Sequence, residues 1–275
     1  MKILFFCPRW GQAHVPWDVF AQQVKAAGYD GVETDVPADE KEREQVLEAL
    51  AKHGLLLIAQ HWETVTPDFD THLTAYVERL QRMAAVSPVC INAQTGRDFF
   101  TMEQNGQLIN AAAQVAAETG IPVYHETHRS KFSFAAHVTA AYLQQFPGLQ
   151  LTLDLSHWIA VAESFLQEQQ PAVMLAVSRT RHIHARVGHT QGPQVSDPRA
   201  PEWEAALQVH LDCWDEIVRI NKQAGLQQLT VTAEFGPPPY MPLLPYTQQP
   251  VASQWDINLY MKALLNSRYN LNPFA

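Results

Sequence analysis

The stretch DEKEREQVLEALAKHGLLLIAQHW, residues 39–62, contains one complete structural unit of this chain. In its first part, charged and apolar residues are spaced as on an amphipathic helix, and Gly54 gives a helix-stop signal. The apolar run LLLIAQHW, residues 55–62, follows at once and is typical of a strand buried on both faces. The stretch therefore predicts a helix that leads directly into a buried strand of a parallel sheet.

The same unit recurs along the chain. Apolar runs predict strands at residues 2–7, 31–36, 55–62, 89–94, 121–126, 149–155, 182–187 and 229–235. Helical patterns follow them at about 17–27, 39–54, 68–86, 102–119, 134–146, 159–178, 202–224 and 252–266. An open doubly wound sheet is the rival fold, but no Gly-rich phosphate fingerprint follows the first strand. We therefore predict an α/β protein with one domain, a single (β/α)8 TIM barrel over residues 1–275.

Composition and charge exclude several classes of protein. The net charge of −9 and the lack of Lys/Arg clusters argue against a nucleic-acid partner. No apolar stretch approaches the ~20 residues of a membrane span. The segment MKILFFCPRW at the start does not resemble a signal peptide, and Cys7 and Cys90 lie in apolar runs typical of buried reduced thiols. We expect a cytoplasmic protein, and the oligomeric state stays open, a homo-oligomer included.

Four successive predicted strands carry a metal-type ligand near their carboxyl ends, where barrel enzymes place their active sites. These are Glu126 in YHETHR, Asp154 in LDLSHW, His184 in HIHARV and Glu234 in TAEFGP. Three carboxylates crowded together repel one another, and a divalent cation removes that penalty. Oxygen-rich ligands with one imidazole suit Mn²⁺ or Mg²⁺, with Co²⁺ and Zn²⁺ as alternatives. The pattern predicts a site for one divalent metal ion.

Each of these residues also has a structural alternative. Asp154 could cap the helix that follows it, and Glu126 could pair with Arg129. His182 and His184 share one face of a strand, so the sequence does not separate them as ligands.

Other residues near the strand ends are candidate substrate contacts. His61 ends the third strand, Trp10 follows the first and could form a pocket wall, and His128 lies in a βα loop where it could bind a polar group. Glu33 on the second strand could face either the pocket or a helix.

The stretches HETHR, LTLDLSHW, HIHARVGHTQGPQV and TAEFGPPPYMP resemble the xylose-isomerase-like TIM-barrel superfamily. Its members include sugar isomerases and epimerases of the tagatose 3-epimerase and hydroxypyruvate isomerase types. The resemblance implies that one divalent metal is bound by Glu126, Asp154, His184 and Glu234. It also implies a carbohydrate substrate in contact with His157 and Arg186.

The resemblance further implies a mechanism. Glu126 and Glu234 would remove and return a proton next to a carbonyl, and the metal would stabilise the resulting enediolate. The motif ETHR replaces the proline-containing motif that is commonest in the epimerases. The alternatives are therefore an inosose-type dehydratase or lyase on the same site, an apurinic-site endonuclease, and a sugar-binding barrel without catalysis.

Overall fold

Eight parallel strands follow one another in chain order around a closed barrel, and β8 pairs with β1 to complete it. The computed structural model describes residues 1–271. It confirms the predicted (β/α)8 barrel. Within the described residues, none of the helices is long and apolar enough to cross a membrane.

The elements have the following bounds. The strands are β1 Lys2–Pro8, β2 Gly31–Thr34, β3 Leu56–His61, β4 Cys90–Ala93, β5 Val123–Glu126, β6 Leu151–Leu153, β7 Thr180–His184 and β8 Gln228–Thr232. The helices are α1 Trp17–Ala26, α2 Glu40–His53, α3 Phe69–Ala84, α4 Met102–Thr119, α5 Ala136–Gln145, α6 Leu155–Ala162, α7 Gln170–Arg179, α8 Glu204–Gln223 and α9 Gln254–Asn266.

Helix α2 shows how the local sequence sets these bounds. The Asp39 side chain accepts a hydrogen bond from the Glu42 backbone N–H and so caps the first turn. Gly54 ends the helix with a φ of 60°, in the left-handed region that favours glycine. Strand β3 follows two residues later, as the opening stretch predicts.

The segment between β6 and β7 differs from the prediction of one helix over residues 159–178. It contains two α-helices, Leu155–Ala162 and Gln170–Arg179, with a short 3₁₀ helix, Gln167–Gln169, between them. Glu163 adopts a left-handed φ of 49° and ends the first helix, and Pro171 lies in the first turn of the second. A proline is favoured there because its backbone lacks the N–H that would go unpaired.

The apolar core has two parts. The larger part lies between the strands and the surrounding helices, and it includes the free thiol Cys7. The smaller part fills the barrel interior and consists of Leu4, Phe6, Ile58 and Cys90, with Val89 and Tyr124 packed against it. Buried polar side chains occupy the rest of the interior, towards the carboxyl ends of the strands.

Candidate active site

Four side chains converge at the carboxyl end of the barrel. Glu126 is the last residue of β5, and His184 is the last residue of β7. Asp154 directly follows β6, and Glu234 lies two residues beyond β8. One ligand-type atom from each of the four lies within 4.8 Å of the others, and all four residues are buried. We call them the four-residue cluster.

His184 is the histidine that joins this cluster. Its Nδ1 atom lies 3.0 Å from Glu234 Oε2 and 3.7 Å from Glu126 Oε1. His182 points into the barrel two residues earlier, and its Nε2 atom lies 3.1 Å from Glu33 Oε2. Of the two histidines that the sequence leaves open, only His184 belongs to the four-residue cluster.

The donor set of the cluster fits a divalent cation. Three carboxylates and one imidazole match the oxygen-rich ligands of Mn²⁺ and Mg²⁺ sites. Among the residues that the structure describes, no hydrogen bond of ordinary geometry satisfies the buried His184 Nδ1 atom. A buried polar atom without such a partner is costly, and a cation next to it would remove the cost. The residues present therefore fit the metal that the sequence predicts.

The charges of the cluster shift one another's pKa values. Burial, reinforced by the charges of Glu234 and Asp154, raises the pKa of Glu126 to about 8. Burial also raises the pKa of Asp154. Burial opposes ionisation of Glu234 as well, but His184 and Arg186 outweigh it and lower the pKa of that carboxyl. In the cation-free protein, Glu126 and Glu234 therefore favour opposite protonation states.

Of the two structural alternatives raised by the sequence, the helix cap by Asp154 is present and the pair of Glu126 with Arg129 is not found in the described part of the chain. Asp154 does cap α6, because its Oδ1 atom accepts a hydrogen bond from the Ser156 backbone N–H at 3.0 Å. Arg129 instead donates to the Tyr240 hydroxyl at 3.1 Å. The carboxylate of Glu126 is hydrogen-bonded by side-chain amides.

Arg186 and His157 form a polar wall beside Asp154. Arg186 donates to the Asp154 carboxylate through Nη2 and to Ser156 Oγ through Nε, at 3.2 Å. Nη2 also lies 2.7 Å from His157 Nε2, which must accept because a guanidinium only donates. The remaining ring nitrogen, His157 Nδ1, then carries the proton, and it is buried without a hydrogen-bond partner in the described part of the chain. His157 thus offers a fixed N–H donor.

Amide side chains from β3 and β4 hold the carboxylates from the other side. Gln60 Nε2 donates to Glu234 Oε1 at 2.9 Å, and Asn92 Nδ2 donates to Glu126 Oε2 at 3.1 Å. Sequence reasoning gave neither amide a role. The signal that could have found them is the strand register, which places Gln60 beside Asn92 on one inward-facing row.

His61 lies on the outer face of β3. Its Nε2 atom lies 2.7 Å from Thr64 Oγ1, and its ring packs edge-on against Tyr76 of α3. Successive side chains of a strand point to opposite faces, so Gln60 faces the barrel interior and His61 does not. This placement does not support the expected substrate contact at His61.

A cavity of about 410 Å³ opens above the four-residue cluster, and two of the cluster's carboxylates line it. Trp10, Trp62 and Tyr240 contribute aromatic walls, with Trp10 packed edge-on against Tyr240. His128 also lines the cavity, and its Nδ1 atom pairs with the Arg129 backbone oxygen at 2.5 Å. The mouth thus combines apolar rings with polar groups that converge on the carboxylates.

The backbone that follows Glu234 is held by side-chain amides. The Phe235 N–H donates to Asn258 Oδ1 at 2.9 Å, and the Gly236 N–H donates to Gln194 Oε1 at 2.7 Å. Asn258 belongs to α9, whereas Gln194 lies in the long loop after β7. Two separate segments therefore fix the chain beside Glu234.

A larger open groove, of about 720 Å³, lies along α1 and α2. Two of its charged residues, Asp18 and Lys52, pair with each other at 2.8 Å and are exposed. None of the metal-type clusters found among residues 1–271 lies in this groove. We therefore assign the candidate site to the barrel mouth.

The chain belongs to the xylose isomerase-like TIM barrel family, whose model matches residues 21–201. This confirms the family that the sequence motifs resemble. A comparison with curated proteins finds no sequence match.

Solved structures with a similar fold cover almost the whole chain. A xylose isomerase-like TIM barrel protein from Mycobacterium smegmatis, in complex with magnesium, has a TM-score of 0.61 and 12% identity over 96% of this chain and 97% of that one. The 3-keto-D-glucoside 4-epimerase YcjR from E. coli has a TM-score of 0.60 and 14% identity, with 97% and 100% covered. The probable 3-DHS dehydratase AsbF from Bacillus anthracis has a TM-score of 0.58 and 16% identity, with the same coverage. At these identities the similarity establishes the fold.

Proposed function

We propose that this protein is a divalent-metal-dependent isomerase or epimerase that acts on a sugar or a related hydroxy-keto compound. The observation that carries the proposal is the buried pairing of Glu126 and Glu234 around His184. Family membership supports it, and so do similar folds named as an epimerase and a dehydratase.

The four-residue cluster would hold one cation through Glu126, Asp154, His184 and Glu234. Its ligands favour Mn²⁺ or Mg²⁺, with Co²⁺ and Zn²⁺ as alternatives. When bound, the cation supplies a Lewis acid that stabilises negative charge on substrate oxygens. The similar structure that contains magnesium supports this choice of ligand class.

Glu234 is the proposed base. Its carboxylate is kept charged by His184 and Arg186, and the hydrogen bond from Gln60 holds it in position. Glu126 is the proposed partner that returns the proton, because its carboxylate faces His184 Nδ1 from the end of β5, as that of Glu234 does from beyond β8. Proton transfer by positioned groups of this kind contributes about 10²–10⁴-fold to a rate.

The substrate would lie in the cavity above these carboxylates. Trp10 would pack against the carbon skeleton of a sugar, and His128 offers a polar contact at the wall. Arg186 and His157 would bind substrate oxygens, since Arg186 lines the cavity and His157 has an unused N–H. His61 is not included among the proposed contacts.

A dehydratase of the same substrate class is the second candidate, and one specific observation favours it. Loss of a β-hydroxyl as water can use the proton that Glu234 removes from the α-carbon, and it is eased by a hydrogen-bond donor to the departing oxygen. Among the described residues the His157 Nδ1–H has no hydrogen-bond partner and is fixed in its tautomer by Arg186, so it is such a donor.

The test combines metal analysis with turnover in deuterated water. The purified protein is analysed for bound metal and then incubated with Mn²⁺ or Mg²⁺ and a panel of free ketoses, inososes and hydroxypyruvate. An isomerase or epimerase returns product with deuterium next to the carbonyl, whereas a dehydratase yields an unsaturated ketone. A cation-loaded protein that labels and converts none of the panel contradicts the proposal.

The other two alternatives have less support. The net charge of −9 is unfavourable for an endonuclease that must bind a phosphodiester backbone. A sugar-binding barrel without catalysis would bind members of the panel without labelling them. A cytoplasmic location and a single domain over residues 1–275 stay predictions, and the oligomeric state stays open.

A further inference from the structure

A second polar layer lies in the barrel interior behind His184, and Glu33 of β2 is its centre. The Glu33 side chain is 1% exposed and is not part of the four-residue cluster. Its Oε1 atom lies 2.9 Å from His184 Nε2, and its Oε2 atom lies 3.1 Å from His182 Nε2. The Thr232 hydroxyl also donates to Oε2. Glu33 thus contacts the ring nitrogen of His184 that faces away from Glu234.

The contact with Glu33 determines which nitrogen of His184 can bind a cation. An ionised carboxylate only accepts hydrogen bonds, so His184 Nε2 must carry a proton to pair with Glu33. In a neutral ring the lone pair then lies on Nδ1, the atom that faces Glu234 and Glu126. Histidine ligands of metals are commonly fixed in this way by a carboxylate on their other nitrogen.

We infer that Glu33 is a positioning residue that holds His184 in the tautomer and orientation needed for Nδ1 to bind the cation. The inference rests on the proposed function, since it requires a cation at the four-residue cluster. Glu33 acts through His184, from the opposite side of the imidazole ring. Its negative charge also raises the basicity of the ligand nitrogen.

Glu33, His182 and His184 could themselves be mistaken for a second cation site, because their ligand-type atoms lie within 4.8 Å of one another. The hydrogen bonds argue against this. His182 uses Nε2 for Glu33 and Nδ1 for Thr230 Oγ1, at 2.8 Å. Both ring nitrogens of His182 are therefore occupied, and this group is better described as a hydrogen-bonded support.

Asn92 connects this support to the proposed acid. Its Nδ2 atom donates to Glu33 Oε1 at 2.8 Å and to Glu126 Oε2 at 3.1 Å. An amide nitrogen carries two hydrogens, so the two carboxylates take both of them, and the 3.2 Å approach of Nδ2 to His184 Nε2 is not a hydrogen bond. Glu33 is thereby linked to two members of the four-residue cluster, His184 directly and Glu126 through Asn92.

The test compares two substitutions of Glu33 with a matched control. Glu33→Gln removes the negative charge but keeps one hydrogen-bond acceptor. Glu33→Met removes the charge and leaves no acceptor. Thr152→Val is the control, because Thr152 is equally buried on β6 and its hydroxyl has no hydrogen-bond partner among the described residues. Mn²⁺ affinity is measured by titration, and the His184 tautomer is read by heteronuclear NMR of histidine-labelled, cation-free protein at a pH high enough to leave the ring neutral, with His184→Gln to assign the signal.

We expect Mn²⁺ affinity to fall by about 10–100-fold in Glu33→Gln and further in Glu33→Met. In the Met variant, the fraction of His184 protonated on Nε2 should also fall, and Thr152→Val should match the wild type in both measurements. If Glu33→Gln binds Mn²⁺ with wild-type affinity, the inference is overturned. If the Met variant does not fold, the Gln variant alone is sufficient for the test. A Met variant that binds weakly with an unchanged tautomer also overturns it.

The outcomes separate this inference from the proposed function. A protein that binds Mn²⁺ with the dependence on Glu33 described above, but converts none of the substrate panel, overturns the proposed function only. A wild-type protein that binds no divalent cation overturns both.

Discussion

The two halves of the barrel rim contribute different chemistry. Strands β5 to β8 and the residues that follow them supply all four members of the proposed cation cluster. Strands β2 to β4 supply Glu33, Gln60 and Asn92, which hydrogen-bond to members of that cluster. The β5–β8 half thus carries the groups proposed to react, and the β2–β4 half fixes the orientation of those groups.

The largest expected loss of activity comes from a substitution in the β5–β8 half. Glu234→Gln keeps the shape of the side chain but removes the proposed base, so kcat/KM should fall by about 10²–10⁴-fold. The measurement is steady-state turnover of the substrate found in the panel. Glu216→Gln, at a half-buried position on α8 where the side chain pairs with Arg219, is the control and should leave turnover unchanged. Unchanged turnover in Glu234→Gln would contradict the two-carboxylate account.

The pH dependence of cation binding tests the same half. Because the pKa of Glu126 is about 8, a cation must displace a proton at lower pH. Affinity for Mn²⁺ should therefore rise between about pH 6 and pH 8, by up to about tenfold per pH unit for each proton released. Titrations at several pH values measure this slope. Glu126→Gln should have a shallower slope, and an equal slope in both proteins would rule out Glu126 as the source.

The raised pKa of Glu126 has a matching consequence for folding. The fold favours the neutral carboxyl, so its contribution to stability is fully present below the ordinary value of 4.5 and is lost as the pH rises through about 8. Urea unfolding of the cation-free protein should show this loss of stability. The loss should be reduced in Glu126→Gln.

A smaller effect should come from the supporting half. Gln60→Met removes the donor to Glu234 while nearly preserving side-chain volume. A hydrogen bond to a charged group is worth about 1.5–3 kcal/mol, so kcat/KM should fall by about 10- to 150-fold. The unfolding transition should change little, because the long side chain still fills its place. A variant with wild-type turnover would show that the β5–β8 half needs no support from β3.

The smallest effect should come from the rim of the cavity. Trp62 lines the cavity and is 52% exposed, so Trp62→Ala should raise KM about two- to tenfold and leave kcat unchanged. Val65→Ala is the matched control, since Val65 is similarly exposed in the same loop but does not line the cavity. If the two substitutions change KM equally, Trp62 has no specific role in substrate binding.

Much of the fold could be predicted from the sequence because it depends on local signals. Capping by Asp39 and the left-handed turn at Gly54 bound α2 where the pattern predicts. The sequence does carry a signal for the start of α7, because Pro171 interrupts the helical pattern over residues 159–178. The end of α6 has no such signal, since it depends on a left-handed backbone conformation at Glu163 that is uncommon for glutamate.

The candidate site divides in the same way. The members of the four-residue cluster stand next to apolar runs, so their shared position is visible in the sequence. The roles of Glu33, Gln60 and His61 depend on which face of a strand each side chain occupies. A strand buried on both faces carries no alternation of polar and apolar residues, and β2 is buried throughout. Only the register of the closed barrel separates the two faces.

The amides that hold Phe235 and Gly236 separate chemistry from specificity. Because Asn258 and Gln194 fix the chain just beyond Glu234, the loop from Pro237 onward can change in length or composition without displacing that carboxylate. Such an arrangement would allow the loop to be exchanged, and the cavity reshaped for other substrates, without moving the groups proposed to transfer protons.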